Sequence, residues 1–115
     1  MSDTLFDKII RREIPADVVY EDEDVLAFRD IHPQAPVHVL FIPKKQSFPT
    51  LNDCGEGDAL LLGKLLLAAS AYAKHEGFAE DGYRGVINCN RGGGQTVFYL
   101  HVQLMAGKYM PKRMV

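Results

Sequence analysis

Hydrophobic and polar residues follow one another along this chain with two spacings, one typical of strands and one typical of helices. Apolar residues at alternate positions, or in short continuous runs, predict five strands: residues 18–20, 25–28, 37–42, 83–89 and 97–105. Apolar residues three and four positions apart predict a short helix over residues 5–12 and a long helix over residues 56–75. The predicted order of elements is therefore α, β, β, β, α, β, β.

Residues that begin or end such elements lie at the boundaries of these segments. Thr4 is a suitable N-cap for the short helix, Pro15 stops it, and Gly77 ends the long helix. The acidic run at residues 21–24 separates the first two strands and predicts a hairpin. Neighbouring strands joined by short turns are antiparallel, and the long helix can cover one face of the sheet. We therefore predict an α+β fold with a five-stranded antiparallel sheet.

The last predicted strand carries the most distinctive pattern in the chain. Its first set of side chains is purely apolar: Phe98, Leu100, Val102 and Leu104. The intervening set points to the opposite face because a strand has a period of two: Tyr99, His101 and Gln103. A neutral imidazole is a nucleophile at physiological pH, so His101 is the leading candidate for chemistry. Considered alone, it could equally be a half-exposed histidine on a solvated sheet face.

A glycine-rich turn at residues 90–96 comes just before this strand. Its three consecutive glycines allow the backbone N–H groups to approach a ligand closely, and Arg91 adds a charged fork for phosphate. An imidazole beside such a turn suggests phosphate chemistry. On its own, the turn could also be a plain hairpin loop, and the sequence contains neither a GxGxxG nor a Walker motif.

Two further polar residues are candidates for the same site. His38 lies on the third predicted strand, where a buried, hydrogen-bonded histidine is the ordinary interpretation. Asp30 could accept two hydrogen bonds from a ribose diol, or it could start a turn. Tyr99 and Gln103 flank His101 but are poor zinc ligands, so we expect no metal centre.

Length and composition exclude several classes of protein. A chain of 115 residues predicts one domain with one core, and a formal net charge of −2 provides no basic surface for nucleic acid. The most apolar stretch, residues 59–73, is interrupted by glycine, lysine and serine, and the N-terminus lacks the pattern of a signal peptide. Cys54 and Cys89 lie far apart and predict free thiols rather than a disulfide. We expect a cytoplasmic protein that binds neither nucleic acid nor a membrane.

Four segments, in the right order, resemble the histidine-triad (HIT) superfamily and its HINT branch of nucleoside phosphoramidate hydrolases: residues 3–15, 26–38, 41–45 and 93–97. The resemblance implies a single HIT domain over residues 1–115 with the HIT-like fold. The family signature is His-φ-His-φ-His-φ-φ, where φ is hydrophobic, and residues 99–105 read Tyr-Leu-His-Val-Gln-Leu-Met. The family's nucleophile is therefore retained as His101. Glutamine also occupies the third position of the motif in the related galactose-1-phosphate uridylyltransferases, which are active enzymes.

The resemblance also implies a role for each matching residue. His101 would attack the α-phosphorus and hold the nucleotidyl group, Gln103 would bind the phosphate or leaving-group side, and His38 would lie behind them in a polar relay. Thr96 would bind phosphate oxygens through its hydroxyl, and Asp30 would hold the ribose. The residues implied to bind the nucleotide are Phe6, Ile14, Phe28, Asp30, Ile31, Asn88, Gly94, Gln95, Thr96 and Val97.

The implied activity is hydrolysis of purine nucleoside phosphoramidates, or of related nucleotidyl P–X bonds, without a cofactor. The implied ligand is AMP or GMP, and the implied assembly is a homodimer with the long helix and the fourth strand at its interface. The tail from residue 108 could contribute to the partner's pocket. We expect Tyr99 to weaken the relay, so a histidine there would raise activity. The alternatives are a nucleotide- or partner-binding protein with weak or lost catalysis and a zinc-dependent regulator, which two missing imidazoles disfavour.

Overall fold

The computed structural model describes residues 3–108. Its helices and strands are α1 (Leu5–Ile10), β1 (Val18–Glu21), β2 (Val25–Arg29), β3 (Val37–Pro43), α2 (Ala59–Glu76), β4 (Arg84–Val86) and β5 (Val102–Ala106). The strands form one antiparallel sheet in the order β1-β2-β3-β5-β4. This confirms the predicted α+β fold and the hairpin between the first two strands. The tail beyond Lys108, for which the sequence suggested a role in a partner's pocket, lies outside the described residues.

The short helix begins where the sequence predicts. Thr4 caps α1 through a capping box, in which its hydroxyl accepts the Asp7 N–H at 3.2 Å while the Asp7 carboxylate accepts the Thr4 N–H at 2.7 Å. A cap of this kind stabilises a helix by about 1 kcal/mol. The helix ends at Ile10 rather than at residue 12, because Arg12 adopts a positive φ of 60°. The result is a six-residue helix that buries Phe6 and Ile9.

The long helix is shorter at its start than predicted. Residues 56–58 form a separate 3₁₀ turn, in which the Asp58 carboxylate accepts the Gly55 N–H at 2.8 Å, and α2 begins only at Ala59. Its end agrees with the prediction, since Gly77 takes the left-handed conformation with φ 88°. Glycine adopts this conformation without the steric strain of a Cβ atom.

Both faces of the sheet are buried, which the sequence did not predict. One face packs under α2 and forms the larger core: Val25, Ala27, Val39, Phe41, Leu65, Ala68, Ala69, Tyr72, Leu100, Val102 and Leu104. The other face packs under α1: Phe6, Ile9, Leu26, Phe28, Leu40, Ile42 and Tyr99. Strands β2 and β3 are apolar at nearly every position, as strands covered on both sides are. The face that carries Tyr99 and His101 is therefore a second core rather than a solvated surface.

The last two strands are shorter than predicted, at Arg84–Val86 and Val102–Ala106. Residues 97–101 leave the ladder because the Leu100 N–H donates to the carbonyl oxygen of Phe48 at 2.6 Å. Phe98 is 46% exposed, so the expected apolar row is wrong at that position. The alternation holds from Leu100 onward, and it still directs His101 away from the α2 face.

Two expectations about the chain as a whole can be compared with residues 3–108. Cys54 and Cys89 are free thiols, as predicted. Neither helix of this part of the chain has the length and hydrophobicity required to cross a membrane.

Candidate active site around His101

His101 lies one residue before β5 and is only 8% exposed. Its Nδ1 lies 2.7 Å from the Tyr99 carbonyl oxygen. Because a carbonyl can only accept, Nδ1 carries the proton and Nε2 keeps its lone pair. Burial lowers the pKa of His101, against the opposing effects of the Tyr99 carbonyl and Asp30. The ring, which packs edge-on against Phe6 at a centroid distance of 5.1 Å, is therefore held neutral in a defined tautomer with the lone pair of Nε2 free.

A second histidine determines the orientation of Gln103. The backbone N–H of Gln34 donates to Nδ1 of His38 at 3.0 Å, so the imidazole proton resides on Nε2. This Nε2–H donates to Oε1 of Gln103 at 2.9 Å and also lies 3.5 Å from the Asp30 carboxylate. The carbonyl oxygen of the Gln103 amide is thereby engaged by His38. Its NH₂ group keeps two donors, which suit phosphate oxygens.

Tyr99 contributes to the site through its backbone rather than its side chain. Its hydroxyl donates to the carbonyl oxygen of Pro43 at 2.5 Å, and its ring packs against Phe6 at a centroid distance of 5.9 Å. Burial, together with the charge of Asp7, raises the pKa of Tyr99 far above its usual value. Tyr99 was expected to weaken the relay from His38; in the structure, His38 bonds to Gln103 directly and the Tyr99 hydroxyl bonds to Pro43.

The glycine-rich turn is fixed by a buried glutamine. Gln95 is 6% exposed, and its Oε1 accepts the N–H of Asn90 at 2.7 Å. Its Nε2 donates to the carbonyl oxygens of Pro49 at 2.7 Å and Val97 at 3.0 Å. Gln95 was predicted to bind the nucleotide, but its amide oxygen and both amide hydrogens are used within the protein. Its side chain instead holds the turn that carries the exposed Thr96.

Two other residues predicted on the phosphate side lie at this turn. Gly94 has a positive φ of 82°, which a side chain would strain. Asn88 is half-buried beyond the end of β4, and its backbone lies 3.9 Å from the position a Cβ atom would take at Gly93. The turn therefore lies close to the segment that follows β4, while the Gly94 N–H donates to the Arg91 carbonyl oxygen at 3.0 Å within the turn.

The apolar residues predicted to surround the base are arranged less uniformly. Phe6 and Phe28 are buried and pack edge-to-face at 5.3 Å, Ile14 is half-buried, and Ile31 is 79% exposed. Asp30, predicted to hold the ribose, is half-buried, and its Oδ1 accepts the His32 N–H at 2.8 Å. The second possibility raised for Asp30, the start of a turn, is therefore realised.

A cavity of about 330 Å³ lies between α1 and β1. It is lined by Ile9, Arg12, Glu13, Ile14, Pro15, Ala16 and Val18. This lining includes Ile14 but, among the described residues, neither His101 nor Gln103. The cavity therefore borders the predicted base site without reaching the reactive groups. Within residues 3–108, no three His, Cys, Asp or Glu side chains come together as metal ligands.

Several partners in this site have no signal in the sequence. Backbone groups hold the side chains of His38, Tyr99 and Gln95. They are, in that order, the Gln34 N–H, the Pro43 carbonyl and the Pro49 carbonyl. Any residue type supplies a backbone carbonyl, so no pattern could have marked these positions.

Comparison with known proteins identifies the family. A model of the HIT domain matches residues 11–110. The chain belongs to the HIT family. This HIT protein is 51% identical over 106 residues to purine nucleoside phosphoramidase of Escherichia coli strain K12, covering 92% of this chain and 88% of that one. It is 51% identical over 110 residues to adenylylsulfatase HINT1 of Arabidopsis thaliana, covering 95% and 74%.

The fold of the HIT protein is also that of solved family members. A HIT family hydrolase from Clostridium thermocellum superimposes with a TM-score of 0.93 at 43% identity, covering 100% of this chain and 99% of that one. The predicted HIT-like fold is thereby confirmed.

Proposed function

We propose that this HIT protein is a hydrolase that cleaves purine nucleoside phosphoramidates, or related nucleotidyl P–X bonds, through a nucleotidyl intermediate on His101. The observation that carries the proposal is the hydrogen bond between His101 Nδ1 and the Tyr99 carbonyl, which leaves Nε2 as the nucleophilic nitrogen. One relative is named for a phosphoramidase and another for an adenylylsulfatase, and these names support hydrolysis of a bond to a nucleotidyl phosphorus.

The reaction takes place in two displacements. In the first, the lone pair of His101 Nε2 forms a bond to the α-phosphorus, the P–X bond breaks, and its electron pair leaves with X. The modified ring is cationic, and the Tyr99 carbonyl stabilises it by accepting the Nδ1–H. In the second, water attacks phosphorus, the P–Nε2 bond breaks, and a proton from that water passes to solvent. Gln103 donates hydrogen bonds to the phosphoryl group in both steps.

The phosphate and the nucleoside would be bound by separate groups. The turn held by Gln95 would present the exposed hydroxyl of Thr96 to the phosphate, while the N–H groups of Gly93, Gly94 and Gln95 donate within the turn. The Asp30 carboxylate, half-buried beside His38, is suited to the ribose hydroxyls. These positions favour a nucleoside monophosphate such as AMP or GMP as product. No cofactor is required by either displacement.

A single experiment tests the intermediate. Wild-type protein is mixed with an adenosine 5′-phosphoramidate, quenched in acid-free denaturant and analysed by intact mass and peptide mapping. We expect an AMP adduct on His101. His101→Ala should abolish turnover but change AMP affinity by less than about tenfold, because a nucleophile acts chiefly in the transition state. The control is His75→Ala, which alters an exposed histidine. Normal turnover by His101→Ala would refute the mechanism, while binding without turnover by wild type would favour a nucleotide-binding protein.

A homodimer is part of the same proposal. Three leucines of α2 are exposed in the single chain, Leu60 at 72%, Leu66 at 51% and Leu67 at 70%. Exposed apolar residues grouped on one element are typical of an interaction surface. Sedimentation velocity should give a dimer for wild type, and Leu67→Lys should shift it toward monomer. The cytoplasmic location stays a prediction, in keeping with the free thiols of Cys54 and Cys89.

A further inference from the structure

The glycine-rich turn of residues 90–96 is closed by hydrogen bonds between its two ends. The Gln95 N–H donates to the carbonyl oxygen of Asn90 at 3.1 Å, and the Asn90 N–H donates to Oε1 of Gln95 at 2.7 Å. Because these bonds bring Asn90 and Gln95 together, their chain neighbours Arg91 and Thr96 lie near each other at the base of the turn. The backbone of Arg91 is fixed as well, since its carbonyl oxygen accepts an N–H from within the turn at 3.0 Å.

Within residues 91–96, two side chains are exposed to solvent. Residues 92–94 are glycines, and the amide of Gln95 is buried and used within the protein. The two that remain are Arg91 and Thr96, which are both exposed. A Cβ atom at the first or third of these glycines would meet nothing within 4 Å, so the space beside the turn is open. A ligand seated on the Thr96 hydroxyl therefore has room to extend toward the Arg91 guanidinium.

Arg91 is the cationic side chain of this turn, and it has no acidic partner. Three other arginines form ion pairs with acidic side chains, whereas no carboxylate among residues 3–108 pairs with Arg91. The groups proposed to act on the phosphate, such as His101 and Thr96, are uncharged. The carboxylate of the same site, Asp30, adds negative charge. Arg91 is therefore placed to offset the charge of an anion bound at the turn.

We propose that Arg91 selects ligands that carry a second anionic group beyond the α-phosphate, such as a nucleoside diphosphate or the conjugate of a nucleoside monophosphate with an acid. The guanidinium suits such a group because its planar N–H fork binds phosphate or carboxylate oxygens in pairs. Arg91 is a specificity-determining residue, which discriminates between ligands by charge and takes no part in the chemistry at His101. The proposal rests on the proposed binding of the α-phosphate beside Thr96.

Calorimetry with ligands that the protein does not cleave measures this selection without turnover. AMP carries the α-phosphate alone, and α,β-methylene-ADP carries a further phosphoryl group. Wild type should bind α,β-methylene-ADP about fivefold more tightly than AMP, as expected for an exposed, charge-assisted pair. Arg91→Gln should abolish this preference and Arg91→Lys should retain part of it. Raising the ionic strength from about 0.05 M to about 0.5 M should reduce the preference of wild type. The control Lys74→Gln removes an equal charge at an exposed position of α2.

A matched pair of substrates tests the same selection during the reaction. Adenosine phosphoramidates of butylamine and of 4-aminobutyrate have similar P–N bonds, but only the second has a carboxylate at the end of its leaving group. The kcat/KM of wild type should be about fivefold higher for the 4-aminobutyrate conjugate, and Arg91→Gln should make the two values equal. The change should lie in KM rather than in kcat, because Arg91 acts on binding.

The outcomes separate this proposal from the function on which it rests. Equal affinities of wild type for AMP and α,β-methylene-ADP, with an AMP adduct on His101, would overturn the selection and keep the hydrolase. A preference that survives in Arg91→Gln, or that disappears equally in Lys74→Gln, would overturn the selection too. If neither ligand binds and no adduct forms, the selection and the proposed function both fail. If Arg91→Gln does not fold, as judged by circular dichroism, a preference of wild type that is independent of salt overturns the selection, and one that salt reduces supports it.

Discussion

Removing the hydroxyl of Tyr99 should lower stability and leave catalysis unchanged. Tyr99→Phe keeps the ring that packs against Phe6 but leaves the Pro43 carbonyl without its donor. Tyr99 is 3% exposed and Pro43 is buried, so water does not readily replace the lost partner. An unsatisfied buried polar group costs about 1–3 kcal/mol. For a chain of this length, we expect Tm to fall by about 4–12 °C. The Tyr99 backbone carbonyl, which orients His101, is retained.

The assay pairs thermal or urea denaturation with the single-turnover rate on an adenosine phosphoramidate. Tyr83→Phe is the matched control, because Tyr83 is 41% exposed and its loss of a hydroxyl should change stability by less than about 0.5 kcal/mol. A turnover rate that falls at least tenfold in Tyr99→Phe, with stability unchanged, would refute the reasoning. It would mean that the hydroxyl acts on the substrate rather than on Pro43.

Three further predictions concern the groups around the nucleophile. His38→Phe removes the donor that orients Gln103. The single-turnover rate should fall about tenfold, equivalent to about 1.4 kcal/mol, while the affinity for AMP stays nearly unchanged. An unchanged rate would contradict the orienting role of His38. Gln95→Leu leaves three backbone groups unpaired, so calorimetry should show a lower Tm and a weaker affinity for AMP. Wild-type values of both quantities would contradict the role of Gln95 in the turn. Burial lowers the pKa of His101, so the turnover rate of the protein should stay constant as pH falls to about 6.5 and decline only below that pH. For the same reason, His101 takes up its proton at higher pH in the unfolded chain than in the folded one. The contribution of neutral His101 to stability is therefore lost as pH falls below about 6.5. A decline in turnover or in stability that begins above pH 7 would be inconsistent with this.

The elements that the sequence predicted well are those with local signals. The cap at Thr4, the hairpin after β1 and the stop at Gly77 each depend on residues within one turn of the boundary. The second core could not be predicted in this way. Strands β2 and β3 are apolar throughout, so their pattern does not reveal which face is covered, and the contact of Phe6 with Tyr99 joins distant parts of the chain. The early end of the ladder before β5 depends on one loop carbonyl, that of Phe48.

The candidate site was predictable in part for the same physical reasons. The period of two correctly placed the side chain of His101 on the face opposite Leu100 and Val102. The bond from His38 to Gln103 joins residues 65 positions apart, and only the register of β3 against β5 brings them together. The sequence therefore named His101 as a candidate, and the resemblance placed His38 behind it, but neither gave the hydrogen bond that joins His38 to Gln103.

The three positions of the motif tolerate change to different degrees because each contributes a different chemical group. Position 99 supplies a backbone carbonyl to His101, which any residue can provide, so its side chain is free to pack and bond elsewhere. Position 101 must supply an imidazole nitrogen with a free lone pair. Position 103 accepts from His38 through its amide oxygen and keeps an NH₂ group as a donor, which an amide provides without titrating. A tyrosine at the first position therefore leaves the orientation of His101 intact, and the amide at the third position is oriented by His38.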